Sequence, residues 1–258
     1  MAGKKKVLAK VVKQEQIATG IFDLWLQTDL AKEAASGQFV GVYPGDKSNL
    51  LPRPISICEV KKEESILRLV YRVQGEGTKE FSQLEPGEDI WILGILGNGF
   101  SKEEGKGKKV LLMGGGIGVP PMLQLAKELE AESTVILGYR NEELFLKKEF
   151  EPYGKVLTAT EDGSVGIKGN VMNVIEKEQP EADLIYACGP LPMLKAIKEY
   201  AAKKNIPAYL SLEERMACGV GACLGCVCKT TKKDHHSHVD NARICTDGPV
   251  FLAEDVLI

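Results

Sequence analysis

The chain has 258 residues, 44% hydrophobic and 27% charged, with 33 Lys and Arg against 36 Asp and Glu for a formal charge of −3. That balance, with a pI near 5.8, argues against nucleic acid as a partner, and the absence of any run of 18 apolar residues argues against a membrane-spanning helix. The composition is that of a folded protein, expected in the cytoplasm, because the KKK run at 4–6 leads into no apolar signal core.

Between position 5 and about 100, apolar residues come in short alternating or β-branched runs: VLAKVV, IFDLWLQT, QFVGVY, RPISICEV and ILRLVYRV. The separators SGQ, PGDKSN and KKEES are turn-forming, and such spacing predicts a small antiparallel barrel over residues 1–102. One helix interrupts it at GEGTKEFSQL, where Gly77 and Thr78 open the helix and Thr78 is the expected cap. In RPIS, Arg53 and Ser56 flank Pro54 and Ile55. A guanidinium can pair with a diphosphate, and a hydroxyl on an extended segment can reach a flavin edge. The same four residues also read as an ordinary edge strand. The helix start at Gly77 and Thr78 adds a second place for phosphate.

The polar, glycine-containing stretch SKEEGKGKK at 101–109 marks the boundary to a second unit, residues 103–208. There, strand-like and helix-like runs alternate four times: KVLLMG with PPMLQLAKELE, TVILGYR with EELFLKKEF, KVLTATEDG with GNVMNVIEKE, and ADLIYACG with PLPMLKAIKEYAAKKN. Apolar strands alternating with helices predict a doubly wound parallel α/β sheet. Gly114, Gly115, Gly116 and Gly118 lie between the first strand and its helix, where backbone N–H groups can meet a dinucleotide phosphate. A tight turn without ligand is the competing reading. Gly189 and Pro190 make a second such turn after the last strand, and Cys188 beside them sits against a nicotinamide ring or is a buried core thiol. After the second strand come Arg140, Glu142 and Glu143; the carboxylates favour NAD over NADP because they repel an extra phosphate.

The last segment, residues 209–258, holds Cys218, Cys223, Cys226, Cys228 and Cys245; Cys58 and Cys188 complete an odd total that does not suit a disulfide framework. Cys218, Cys223 and Cys226 form CxxxxCxxC, the plant-type [2Fe–2S] spacing, with Cys245 as a distant fourth thiolate. Gly219, Gly221 and Gly225 let the loop turn its N–H groups toward sulfur. Structural zinc is the alternative, although zinc ribbons usually pair two CxxC knuckles. Cys228 either replaces Cys226 or packs beneath the loop; Cys226 is preferred because the glycines extend up to it. His235, His236 and His238 read as a solvated hairpin tip more readily than as metal ligands.

The motifs RPIS, GEGT, GGGIGVPPM, CGPLPML, CGVGACLGC and CTDGPVF together resemble the electron-transfer subunits of type B, NAD-dependent dihydroorotate dehydrogenase, in the ferredoxin-reductase superfamily. The resemblance spans nearly the whole chain. It implies that Arg53, Pro54, Ile55, Ser56, Val70, Tyr71, Arg72, Gly77 and Thr78 bind FAD, and that Cys218, Cys223, Cys226 and Cys245 hold the cluster. The related small subunits of NADH-dependent ferredoxin:NADP oxidoreductases usually carry Asp at the first ligand position, which here is Cys218. The stretch between Cys226 and Cys245 is a few residues longer than the family's usual loop. The resemblance further implies an FMN-containing catalytic partner in a heterotetramer of two plus two. No acid–base constellation for oxidising dihydroorotate stands out, so no catalytic residue is assigned. A stand-alone NADH:acceptor reductase and a non-enzymatic zinc protein are the other readings.

Overall fold

The alternating runs of the first hundred residues become six strands: β1 (Lys5–Ala18), β2 (Ile21–Gln27), β3 (Phe39–Val42), β4 (Arg53–Lys61), β5 (Ile66–Arg72) and β6 (Asp89–Leu96). The computed structural model describes residues 4–46, 48, 50–231, 233 and 239–258, so His235, His236 and His238 lie outside the described residues. The six strands close into an antiparallel barrel in the order β1-β2-β5-β4-β3-β6, with β6 pairing back onto β1. Successive side chains of a strand point to opposite faces. Ala9 and Val11 are therefore 1% exposed inside the barrel, while Leu8 before them and Val12 after them are 49% and 46% exposed outside. Helix α1 (Glu76–Phe81) places Phe81 in the same core. Its cap residue is Gly75 rather than Thr78. The Thr78 hydroxyl, a turn further in, instead accepts from the N–H groups of Gln74 and Gly75 at 2.9 and 3.1 Å, which satisfies donors that the helix leaves over.

From Lys109 the pattern changes. Strands β7 (Lys109–Gly115), β8 (Glu132–Tyr139), β9 (Lys155–Thr160), β10 (Ile167–Lys168), β11 (Leu184–Cys188) and β12 (Ala208–Ser211) all run parallel. They alternate with α2 (Pro120–Glu128), α3 (Lys147–Phe150), α4 (Val171–Glu178) and α5 (Leu191–Lys204). Val110 and Leu112 of β7 join the core of α2 and Phe150, while Leu111 and Met113 join that of α4 and α5, so both faces are covered. This is why these strands are apolar throughout rather than alternating. The helix expected over EELFLKKEF is only the single turn α3. Leu146 takes a left-handed φ of 64°, and the Phe145 carbonyl accepts from the Tyr139 hydroxyl at 2.9 Å, so the preceding residues fold back onto the strand end.

Three short strands remain. β13 (Val227–Lys229) and β14 (Asn241–Arg243) pair as a hairpin, and β15 (Val250–Leu252) adds antiparallel to β12 at the sheet edge, giving the order β10-β9-β8-β7-β11-β12-β15. The cysteine segment leaves the sheet at Ser211 and returns opposite it at Val250. The Leu212 N–H donates to the Pro249 carbonyl at 2.8 Å, closing the base of the loop. Among the described residues, no helix is long and apolar enough to cross a membrane.

Candidate functional site

Barrel and sheet meet along a groove of about 1170 Å³, above the C-terminal ends of the parallel strands. Single small-ligand pockets run to roughly 300–1,000 Å³, so this one has room for more than one small molecule. Arg53, Pro54, Ile55, Ser56, Val70, Tyr71, Arg72 and Thr78 line it from the barrel side. Gly115, Gly116, Gly118, Cys188, Gly189 and Pro190 line it from the sheet. Tyr71 borders the groove, yet its ring stacks on Phe22 in the barrel and its hydroxyl donates to Gln14 at 3.1 Å. Gly77 and Gly114 are not among the lining residues. A Cβ on Gly77 would stand 2.7 Å from Arg53 Nε, so this glycine lets the guanidinium lie across the start of α1. Gly114 sits within β7 between Leu137 and Cys188, where a Cβ would come within 2.9 Å of the Val119 Cα; its role is close helix approach.

On the sheet side, Gly116 has φ 54°, and a Cβ there would lie 3.3 Å from Arg72 Nη2. A methyl on Gly118 would collide with the Cys188 carbonyl. Burial pushes the Cys188 thiol up to about 12 against a weaker pull from the Ser211 hydroxyl, so it is a neutral thiol at physiological pH. Burial also lowers Arg72, followed by repulsion from Arg140, and Glu213 opposes both; the two guanidiniums share the groove. The acidic residues after β8 are placed differently from the sequence argument. Glu143 accepts from the Thr19 N–H and hydroxyl at 2.9 and 2.8 Å, facing the barrel, and Glu142 does not line the groove. The carboxylates that do are Glu161 and Glu213, with Glu76 and Glu214. Phe39, Ser211, Met216 and Pro249 also line it and were missed by sequence reasoning; Ser211 ends β12 beside Cys188, and only the closure of the cysteine segment onto β12 brings Met216 and Pro249 there.

The cysteines converge in two pairs. Burial raises the Cys245 thiol to about 11, reinforced by the adjoining Cys226, with Cys218 near enough to add to it. Register explains the first pair: Val227 opposes Arg243, and the Ile244 N–H donates to the Cys226 carbonyl at 2.9 Å, which brings Cys226 beside Cys245. In the second pair, burial tends to raise Cys218, but the N–H groups of Val220, Cys223 and Ala222 and the Cys223 thiol outweigh it and lower the pKa to about 6. The N–H groups of Val220 and Cys223 reach Cys218 Sγ at 3.4 Å, and that of Gly225 reaches Cys223 Sγ at 3.4 Å. Gly219 and Gly221 take φ of 67° and 83°; the third left-handed residue is Leu224 at 55°, not Gly225. Cys226 and Cys245 are buried, Cys223 is exposed, and Cys228 lies further along the hairpin opposite Ala242. Two pairs of thiols with N–H groups aimed at sulfur suit a two-iron cluster, in which each iron takes two protein ligands.

A six-stranded barrel joined to a doubly wound sheet, with a four-cysteine loop closing on the sheet edge, defines an oxidoreductase of the ferredoxin-reductase class that carries a C-terminal iron–sulfur segment. The description of the iron–sulfur cluster binding domain of dihydroorotate dehydrogenase B matches residues 213–257. The dihydroorotate dehydrogenase B (NAD(+)) electron transfer subunit of Lysinibacillus sphaericus is 45% identical over 94% of this chain and 95% of that protein. The subunit of the same name from Caldanaerobacter subterraneus is 43% identical over 98% of each. The chain belongs to this family of electron transfer subunits. Among solved structures, a chain of the NADH-dependent reduced ferredoxin-NADP oxidoreductase superposes with TM-score 0.86 at 30% identity, covering 100% of this chain and 91% of that one. A ferredoxin NADP+ reductase from Neisseria gonorrhoeae shares the fold at TM-score 0.65 and 16% identity, over 77% of this chain and 91% of that one.

Proposed function

We propose that the chain carries electrons from a catalytic partner, an FMN-containing dihydroorotate dehydrogenase subunit, through a [2Fe–2S] cluster and FAD to NAD+, in de novo pyrimidine synthesis. The observation that carries this reading is the shared groove: the barrel motif, the glycine turns of the sheet, and Met216 and Pro249 of the cysteine segment all line it. When bound, FAD supplies the exchange between two-electron hydride chemistry and one-electron transfer.

The protein's own residues divide the work. Arg53 and Ser56 offer a guanidinium and a hydroxyl on β4 to the flavin dinucleotide, with Val70, Tyr71, Arg72 and Thr78 bordering it; Gly77 leaves the space that Arg53 crosses. Gly115, Gly116 and Gly118 open the backbone to the NAD diphosphate, and Arg72 and Arg140 add positive charge beside it. Cys188, Gly189 and Pro190 line the sheet end of the groove, where the nicotinamide would face the flavin, and the neutral Cys188 thiol adds no charge there. Cys218 with Cys223, and Cys226 with Cys245, serve as the two ligand pairs. Cys218 and the exposed Cys223 lie on the outer side, which suits electron exchange with a partner. The assembly is a cytoplasmic heterotetramer of two catalytic and two electron transfer subunits.

The test is NADH-dependent reduction of orotate, measured with and without the FMN-containing partner. Activity that requires both chains is the expected result, together with flavin and iron–sulfur absorption in the anaerobically purified chain. Orotate reduction by this chain alone would contradict the subunit role.

A further inference from the structure

The turn that carries Cys245 is held by a polar network centred on Asp247. Its Oδ2 accepts from Arg243 Nε at 3.1 Å and from the Arg243 backbone N–H at 2.8 Å, and its Oδ1 accepts from Arg243 Nη2 at 3.2 Å. Cys245 sits midway between the two partners in this turn. The remaining guanidinium nitrogen, Arg243 Nη1, donates at 3.4 Å to the carbonyl of Gly221, in the loop between Cys218 and Cys223. The other side of the turn is tied to the barrel. Asn98 Nδ2 donates to the Thr246 and Asp247 carbonyls at 3.0 and 3.1 Å, and the Asn98 N–H donates to the Gly248 carbonyl at 2.6 Å. Gly97 before it has φ 75°, and a Cβ there would approach the Gly248 carbonyl and the Phe39 ring to 2.9 Å. Phe39 and Pro249 in turn line the groove. One turn therefore bears on the cysteine loop, the fourth cysteine and the flavin side of the barrel.

We propose that the Arg243–Asp247 ion pair is a positioning and potential-setting pair for the iron–sulfur centre, and that Asn98 fixes it to the flavin side of the barrel. The proposal rests on the four-cysteine reading and adds to it the residues that set its geometry and charge. A two-point guanidinium–carboxylate contact fixes distance and angle in a way that a single hydrogen bond does not. The pair takes up no electron and no proton. Its two charges nearly cancel at the centre, and adding an electron there is opposed by neighbouring negative charge and favoured by positive charge. Side-chain exposures of 41% and 39% leave solvent to damp the effect, which changes its size and not its sign.

The experiment is a redox titration of the cluster, followed by electron paramagnetic resonance, in the purified holoprotein and in Arg243→Gln, Asp247→Asn and Arg243→Lys. Arg243→Gln leaves one more negative charge and lowers the midpoint potential; Asp247→Asn leaves one more positive charge and raises it. Arg243→Lys keeps the charge and stays near the unaltered value. Shifts of the same sign in the first two variants, or no shift with full iron in both, would overturn the proposal. Arg243→Lys also loses the two-point contact, so positioning by that contact predicts that it loses iron or broadens the signal as Arg243→Gln and Asp247→Asn do. Full iron and an unchanged signal in Arg243→Lys, while Arg243→Gln and Asp247→Asn lose iron, would overturn the positioning role and leave charge alone. Asn98→Ala is expected to broaden the cluster signal and slow its reduction by NADH, while flavin bleaching keeps its rate; an unchanged signal and rate would remove Asn98 from the proposal. Lack of iron in the unaltered protein would sink the four-cysteine assignment itself.

Discussion

Cys226 and Cys228 are two positions apart on one edge of a hairpin, and register gives them different neighbours. Cys226 adjoins Cys245, whereas Cys228 opposes Ala242 and packs against the core beneath the sheet edge. Cys228→Ser is expected to keep the iron content of the unaltered chain and Cys226→Ser to lose it, as measured by iron and sulfide analysis; the opposite result would exchange the two assignments. Gly118→Ala is the corresponding test on the dinucleotide side. Its methyl has no space before the Cys188 carbonyl, so KM for NADH should rise about tenfold or more, roughly 1.4 kcal/mol, with FAD content unchanged. The spacing of the first three cysteines was legible in the sequence because a tight cluster loop is local. The choice between Cys226 and Cys228 leaned on the glycines, and Leu224, which takes one of the left-handed positions itself, carried no signal for it.

At the level of elements, the barrel and the sheet are joined by charge as well as by apolar packing. Arg68 on β5 is 5% exposed and pairs with Asp23 of β2 at 2.9 Å, Glu59 of β4 at 3.2 Å and Glu149 of α3 at 2.6 Å. Lys127 of α2 completes the network on Glu59 at 2.7 Å. Removing one member of a buried ion network strands its partners, so Arg68→Ala should cost about 3–5 kcal/mol in urea unfolding. Burial works to raise the Glu59 carboxyl, but Lys127 and then Arg68 outweigh it and hold the folded-state pKa below 4.5. The stabilisation by Glu59 is therefore present at neutral pH and lost as the pH falls below about 4.5 through the lowered value. Glu59→Gln should flatten the acid limb of the stability curve. Glu59 and Arg68 face each other across the β4–β5 hairpin, but Asp23, Lys127 and Glu149 are far from both in sequence, and periodicity could not have paired them. It did report the barrel, the parallel sheet and their order along the chain, because each rests on local alternation.

For the whole molecule, the proposed relay runs from the partner to the cysteine segment and on to the groove that barrel and sheet share. Removing the iron anaerobically with a chelator should leave NADH reduction of a flavin-specific dye intact, while abolishing orotate-linked turnover in the assembled enzyme. Loss of both activities would place the cluster in a role other than the relay. Residue types and short spacings were enough to indicate a flavin barrel, a dinucleotide sheet and a two-iron loop, because each of those sites depends on neighbours within a few positions. Long-range pairing settled the rest. The return of β15 to β12 carries Pro249 into the groove, the β13–β14 register brings Cys226 to Cys245, and Asn98 ties the Cys245 turn to the barrel. Such contacts join residues far apart in the chain through hydrogen-bond geometry, and they have no local period to read.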